Sequence, residues 1–156
     1  MGVYLLTLAT GLVATFLMTL VLYSIHWRGF ANADMLRALG SILTRSEQTA
    51  LIPGTVLHFL FGIVFAFIYV GFWSSLPISA LWTYLALGAI FGLGHGLVVS
   101  FALVVLVAEH HPLERFQRVG MGVAVAHLIG HVVYGLVVGA LTAGLQLKFP
   151  FIPQLI

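Results

Sequence analysis

The sequence predicts an all-α protein, an integral membrane four-helix bundle built from a tandem two-helix repeat. Three observations favour this fold. The chain of 156 residues is 62% hydrophobic and only 6% charged, whereas soluble domains carry roughly 25% charged residues. Its few charges are clustered, so that long stretches carry none. A segment containing histidine and several glycines occurs twice along the chain.

The uncharged stretches define the membrane spans. Residues 1–27, 48–108 and 119–147 contain no Asp, Glu, Lys or Arg. Because about 20 apolar residues cross the hydrocarbon core, these stretches hold one, two and one spans. We place the spans near residues 3–23, 51–73, 78–108 and 120–147. They leave no room for a separate soluble domain, so residues 1–156 are predicted to form a single transmembrane domain.

The connection between the first two spans predicts a short interfacial helix. Its apolar residues fall on one helical face, and they are Met35, Leu36, Leu39, Ile42 and Leu43. Arg37 and Arg45 lie opposite that face. An apolar face backed by basic residues is typical of a helix that lies in the membrane surface.

The repeated segment relates the second span to the fourth. HFLFGIVFAFIYVG, which begins at His58, aligns with HVVYGLVVGALTAG, which begins at His131. The first and third spans align less closely, with Gly11 placed on Gly92. Two copies separated by an even number of crossings have the same orientation, so an axis along the membrane normal relates them.

Four histidines lie inside the predicted spans, where ionisable residues are rare and usually functional. His58 and His131 are equivalent in the repeat and would face each other across the bundle at similar depth. His127 lies one turn before His131, and His95 reaches nearly the same level from the third span. We therefore predict that the four imidazoles converge on one point inside the bundle.

A b-type haem is the first candidate for that centre. Histidine is a common axial ligand of haem iron, and His58 and His131 are the predicted axial pair. The other two histidines would be a second pair or partners of the ligands, and nearby glycines would leave space for the macrocycle. Arg115 and Arg118 could neutralise the propionates. The predicted cofactor-binding set is His58, His131, His95, His127, Gly62, Gly92 and Gly135.

A transition-metal ion is the second candidate. Neutral imidazoles bind Cu, Zn and Fe. His127 and His131, four residues apart on a helix, could share one ion with another histidine as third ligand. The spans contain no carboxylate, which argues against a di-iron carboxylate site. The predicted metal-binding set is His58, His95, His127 and His131.

Two further interpretations remain open. Intramembrane histidines can simply hydrogen-bond neighbouring helices, and the glycine stripes could dock larger partners, so the chain could be a cofactor-free accessory subunit. The histidines could instead relay protons in a small proton or ion transporter. The sequence has no cysteine, and it contains no Ser–His–Asp set or phosphate loop. We therefore expect an electron-transfer or non-catalytic subunit rather than a stand-alone enzyme.

The charge distribution predicts the partners and the orientation. The net charge is +2 and no basic run is present, so nucleic acid is not expected as a partner. We expect membrane lipid, together with other membrane subunits or a homo-oligomer. The loops after the first and third spans hold five of the six Lys and Arg residues. The positive-inside rule then places both termini outside.

The runs DMLRALGSILT, HFLFGIVFAFIYV, GLGHG and HVVYGLVVGAL resemble a group of small four-span prokaryotic membrane proteins of uncharacterised function. The resemblance covers most of the chain. It implies the four-span architecture and a location in the prokaryotic inner, or cytoplasmic, membrane. It carries over no activity.

Overall fold

The structure, a computed structural model, describes residues 2–118 and 120–150, and four long helices dominate it. In chain order the elements are α1 (Gly2–Trp27), α2 (Met35–Thr44), α3 (Leu51–Ser74), α4 (Leu81–Ala102), a π-helical segment (Leu103–Val107), α5 (Ala108–His110), α6 (Glu114–Gln117) and α7 (Met121–Gly144). The helices α1, α3, α4 and α7 are long and apolar enough to cross a membrane. The predicted four-span helical fold is therefore confirmed. The predicted domain includes residues 1, 119 and 151–156, which lie outside the described residues.

The third predicted span, residues 78–108, is divided into several parts in the structure. The helix α4 begins only at Leu81, because Ala80 before it is extended, with φ −75° and ψ 135°. After Ala102 the chain continues as a π-helical segment. Insertions of π geometry are rare in α-helices and are frequent at functional sites. The apolar composition of the span gives no signal for this division.

The predicted interfacial helix is present as α2, and it is docked on the start of α3. Its Leu36 is buried, whereas Leu43 is 62% exposed. Two glycines allow the close contact: a Cβ on Gly40 would overlap the carbonyl oxygen of Ala50, and one on Gly54 would overlap that of Leu36. Ile42 and Leu43 remain exposed, and the position of α2 at a membrane surface stays a prediction.

The bundle is held by three helix contacts. The helix α1 packs against both α3 and α7, and α4 packs along α7. Glycines bring the α4 and α7 backbones together, because a Cβ on Gly88 would overlap the carbonyl oxygen of Gly135 and one on Gly92 would overlap that of His131. Small residues of this kind drive helix association in membranes. The glycine stripe of α4 therefore packs within the chain.

The helix pairs α1–α3 and α4–α7 are built alike, as the tandem repeat predicts. A Cβ on Gly11 would lie 3.2 Å from the carbonyl oxygen of Gly62, and Gly88 faces Gly135 in the same way. Since Gly62 and Gly135 are equivalent in the repeat, the counterpart of Gly11 is Gly88. The predicted alignment of Gly11 with Gly92 is therefore wrong by one helical turn. The stripe Gly11, Thr15 and Thr19 corresponds to Gly88, Gly92 and Gly96.

Gly92→Ala is expected to destabilise the bundle. Its Cβ would overlap the carbonyl oxygen of His131 and lie 2.9 Å from Cα of Val132, and neither backbone atom can rotate away. Overpacking of this kind costs about 1–3 kcal/mol. The matched control is Gly94→Ala on the same helix, where nothing lies within 4 Å of the added Cβ. The midpoint of thermal unfolding in detergent should fall for Gly92→Ala alone, and equal midpoints would contradict the packing described.

Candidate functional site

The four intramembrane histidines line one internal cavity. Its volume is about 370 Å³, within the range of small-molecule sites. It lies among α1, α3, α4 and α7, in the half of the bundle that α2 covers, which we call the α2 end. The histidines in its wall are His58, His95, His127 and His131. The structure thus brings together the four imidazoles that the sequence selects, and their role as ligands stays a prediction.

The three predicted glycines are placed differently. Gly62 lines the cavity, although its closest neighbour is the Thr15 hydroxyl. Gly92 and Gly135 lie in the contact between α4 and α7. In the structure these two glycines bring helices together, and the space beside the histidines arises elsewhere.

His127 and His131 are held alike on α7. The Nδ1–H of His127 donates to the carbonyl oxygen of Val123 at 2.8 Å, and that of His131 donates to the carbonyl oxygen of His127 at 2.7 Å. Because a carbonyl oxygen only accepts, each Nδ1 carries the hydrogen. A neutral imidazole in this tautomer has its lone pair on Nε2. Both rings therefore present the nitrogen that binds metals and accepts hydrogen bonds.

The Nε2 atom of His127 has no hydrogen-bond partner within residues 2–118 and 120–150. The residue is only 2% exposed, so solvent does not satisfy that atom. Leaving a buried polar atom unsatisfied costs about 1–3 kcal/mol, and such atoms require an explanation. His127 lines the cavity, and the hydroxyl of Thr10, Nδ1 of His26 and Nε1 of Trp73 are also buried without a partner among the described residues.

His95 approaches from α4 and packs against α3 and α7. Its ring centroid lies 4.5 Å from that of His131, in an edge-to-face arrangement, and 3.9 Å from that of Phe65. Its Nδ1 is 3.3 Å from the hydroxyl of Tyr69. These contacts hold His95 beside His131, which places two imidazoles from different helices in direct contact.

His58 is bound differently from its repeat counterpart His131. Its Nε2 is 3.0 Å from the hydroxyl of Thr19, which donates its own hydrogen to the carbonyl oxygen of Thr15 at 2.7 Å. The hydroxyl can therefore only accept from His58, so the hydrogen of a neutral ring lies on Nε2. Gly96, the counterpart of Thr19, has no hydroxyl to offer His131. The sequence places Thr19 in a small-residue stripe of the first span whose hydroxyls can hydrogen-bond across a helix contact, and the structure pairs its hydroxyl with His58 of α3.

The α2 end of the cavity carries charged residues. Asp34 is buried, accepts a hydrogen bond from the hydroxyl of Tyr23 at 2.8 Å, and pairs with Arg115 at 3.2 Å. Arg115 also pairs with Glu47. A buried carboxylate is stable only with such partners. Arg115, predicted to neutralise a propionate, is therefore already paired twice, whereas Arg118 forms an exposed pair with Glu114, at the start of α6.

The connection between α4 and α7 is docked on α2 through His111, which is 3% exposed. The backbone N–H of Leu113 donates to its Nδ1 at 3.0 Å, and its Nε2–H donates to the carbonyl oxygen of Ala38 at 3.0 Å. Sequence reasoning treats this histidine as an ordinary residue of the membrane edge. The carbonyl group that accepts from His111 belongs to Ala38, far away along the chain, so the sequence gives no local signal for this hydrogen bond.

A metal ion alone is less simply accommodated. Within the described part of the chain, no three His, Asp or Glu side chains are grouped closely enough to hold an ion. An ion bound by three of the predicted histidines would therefore require side chains to move.

Fold and cavity together define a class, namely small four-helix membrane proteins with a histidine-lined internal cavity. Residues 1–148 match a family described as a family of unknown function, DUF6789, and the chain belongs to that family. No curated protein and no solved structure matches it. The resemblance to uncharacterised small membrane proteins is confirmed, and the family carries no activity to transfer.

Thr19→Val is expected to leave the Nε2–H of His58 without its acceptor, at a cost of about 1–3 kcal/mol. The imidazole ¹⁵N NMR signals of His58 should shift towards those of the other tautomer. The matched control is Thr142→Val, because Thr142 is also buried and its hydroxyl bonds the carbonyl oxygen of Val138 on its own helix at 2.7 Å. Unchanged His58 signals in Thr19→Val would contradict the assigned hydrogen bond.

Proposed function

We propose that the chain binds a redox cofactor in the histidine-lined cavity and serves as a membrane subunit of an electron-transfer or other membrane complex. A b-type haem is the preferred cofactor, and a transition-metal ion (Cu, Zn or Fe) is the second candidate. The observation that carries the proposal is the buried, unpartnered Nε2 of His127 in the cavity wall, within the described part of the chain.

The chemistry of the wall supports a haem. His127 and His131 offer unprotonated nitrogens, which bind a Lewis acid such as iron. The rest of the wall is largely apolar and aromatic, with Phe61, Phe65 and Tyr134 among its residues, and such surface suits a macrocycle. Haem, when bound, supplies a one-electron couple. The chain itself would hold the iron, orient the ring and exclude water.

The predicted axial pair needs one rearrangement. His131 presents Nε2 directly, whereas the Nε2–H of His58 is engaged by Thr19. His58 could serve as the second ligand by releasing Thr19 or by using Nδ1. The residues therefore fit the cofactor, with the α7 histidines as the better-prepared side. At the polar end, Arg118 is exposed and its ion pair is of the weak surface kind, so it is the better partner for a propionate.

The proposed location is the prokaryotic inner membrane, with both ends of the described chain outside. Arg28, Arg37, Arg45, Arg115 and Arg118 all belong to the α2 end or its adjoining loops, and Lys148 lies at the other end. The positive-inside rule supports a cytoplasmic α2 end. Further membrane subunits or a second copy of the chain, together with lipid, are the proposed partners.

The cofactor-free and transporter alternatives are less well supported. The α4 glycine stripe packs against α7, so it does not present the docking surface that an accessory subunit would need. A proton relay would use the same four histidines. A proton relay would leave the buried Nε2 of His127 without a fixed bonding partner, whereas a bound cofactor would give that atom one.

Haem binding is tested on protein purified with haem supplied during expression. A reduced-minus-oxidised spectrum should show b-type bands. His131→Ala and His127→Ala should each lower the haem content roughly tenfold or more, since even partners of metal ligands contribute 10–100-fold. His110→Ala, in the connection outside the cavity, is the control and should keep its haem.

Several outcomes would contradict the proposal. Haem bands that persist unchanged in both α7 variants would place the cofactor elsewhere. A colourless protein that elemental analysis shows to contain Cu, Zn or Fe would replace the haem with an ion. A colourless, metal-free protein would contradict both the haem and the metal ion as cofactors. Proton transport into vesicles that is lost in the His95→Ala variant would then support a proton relay.

A further inference from the structure

We infer that the cavity receives its occupant, a b-type haem, from the bilayer, through a slot between α3 and α4. The slot is defined by three residues at its rim, Ile42 of α2, Phe61 of α3 and Val98 of α4. The identity of the occupant rests on the proposed function, but the existence of the slot does not.

The contacts between α3 and α4 are confined to the half of the bundle away from α2. The ring contacts between these helices in the described structure pair Phe65, Tyr69, Phe72 and Trp73 with Tyr84, Phe91 and His95. Toward the α2 end, α3 continues with Phe61 and α4 continues with Val98. The two helices therefore close against each other at one end and part around the cavity at the other.

The rim residues line the cavity and are also exposed. Ile42 is 45% exposed, Phe61 is 50% exposed and Val98 is 68% exposed. A side chain that is both exposed and part of a cavity wall lies at an opening. Phe61 and Val98 belong to spanning helices, so this opening faces acyl chains. An opening lined by apolar residues at that depth admits molecules dissolved in the bilayer.

A second opening lies at the polar end, where Asn32 and Arg118 are exposed and also line the cavity. At this end the wall also includes buried Asp34, which pairs with exposed Arg115, and the buried ring of Phe116. Entry from water would carry an apolar ring past charged groups. Entry from lipid keeps the ring among apolar side chains and leaves the polar opening for the propionates.

The two routes are separated by narrowing each opening. Val98→Trp enlarges the lipid-side rim, and Asn32→Trp enlarges the polar rim, at a residue that has no proposed role in holding the haem. The control is Ile90→Trp, about two turns earlier on α4, 62% exposed and outside the cavity lining. Haem uptake by the haem-free protein in phosphatidylcholine vesicles is followed through the change in the Soret band. Val98→Trp should slow uptake at least tenfold, while the other two variants keep the wild-type rate.

Slowing by Asn32→Trp with a normal rate for Val98→Trp would overturn the inference, and so would equal rates in all variants. The final haem content of each variant shows whether the Val98→Trp or the Asn32→Trp substitution has altered binding rather than entry. A variant in which the substitution only slows haem entry should finally show the same haem absorption spectrum as the unmodified chain.

The slot is also tested without haem. The chain has no cysteine, so Val99→Cys in the cavity wall can carry a single nitroxide label. In vesicles, an open slot should make this label collide more with oxygen, which dissolves in lipid, than with a water-soluble nickel chelate. Ile90→Cys provides the reference for a lipid-facing site.

A label reached mainly by the chelate, or by neither reagent, would overturn the lateral opening. If oxygen reaches the label but no haem binds in any experiment, the proposed cofactor is wrong while the opening stands. If haem binds and the chelate dominates, the cofactor stands and the route is wrong.

Discussion

The close backbone contact between α4 and α7 is the constraint on which the rest of the structure depends. Lipid offers no hydrophobic gain for bringing helices together, so packing must hold the bundle. Gly88 and Gly135 let two carbonyl groups and their backbones approach where any side chain would overlap. The α1–α3 pair uses Gly11 and Gly62 in the same role. Thr15 of α1 stands where α4 has Gly92, and its hydroxyl fills the space beside Gly62.

The cavity follows from where these contacts are placed. The chain closes α1 against α3, α1 against α7 and α4 against α7. The fourth side, between α3 and α4, is left to large side chains such as Phe65 and Phe91, which separate the helices rather than bring them together. Space beside the histidines therefore comes from the side of the bundle that these large side chains hold apart. This explains why Gly92 and Gly135 lie away from the space that the sequence assigns to them.

Much of the fold can be predicted from the sequence because charge and hydropathy act locally. The uncharged stretches place the second span at 51–73, and the helix occupies Leu51–Ser74. The convergence of the histidines follows from helical spacing and from the repeat. The division of residues 78–108, the repeat register of α1 and the partner of His111 could not be predicted. Each depends on which distant backbone atoms meet, and apolar spans pair in several registers at similar cost.

The repeat explains why two equivalent histidines differ in chemistry. At the position beside His58 the first copy has Thr19, whose hydroxyl accepts the ring hydrogen. At the same position the second copy has Gly96, which offers His131 no hydroxyl. Duplication supplied two similar imidazoles, and one residue on the neighbouring helix decides which of them is already satisfied. A cofactor bound by both would meet a prepared ligand on α7 and would have to displace a hydrogen bond on α3. Binding should therefore begin at His131, with His58 joining only if its bond to iron outweighs the bond to Thr19.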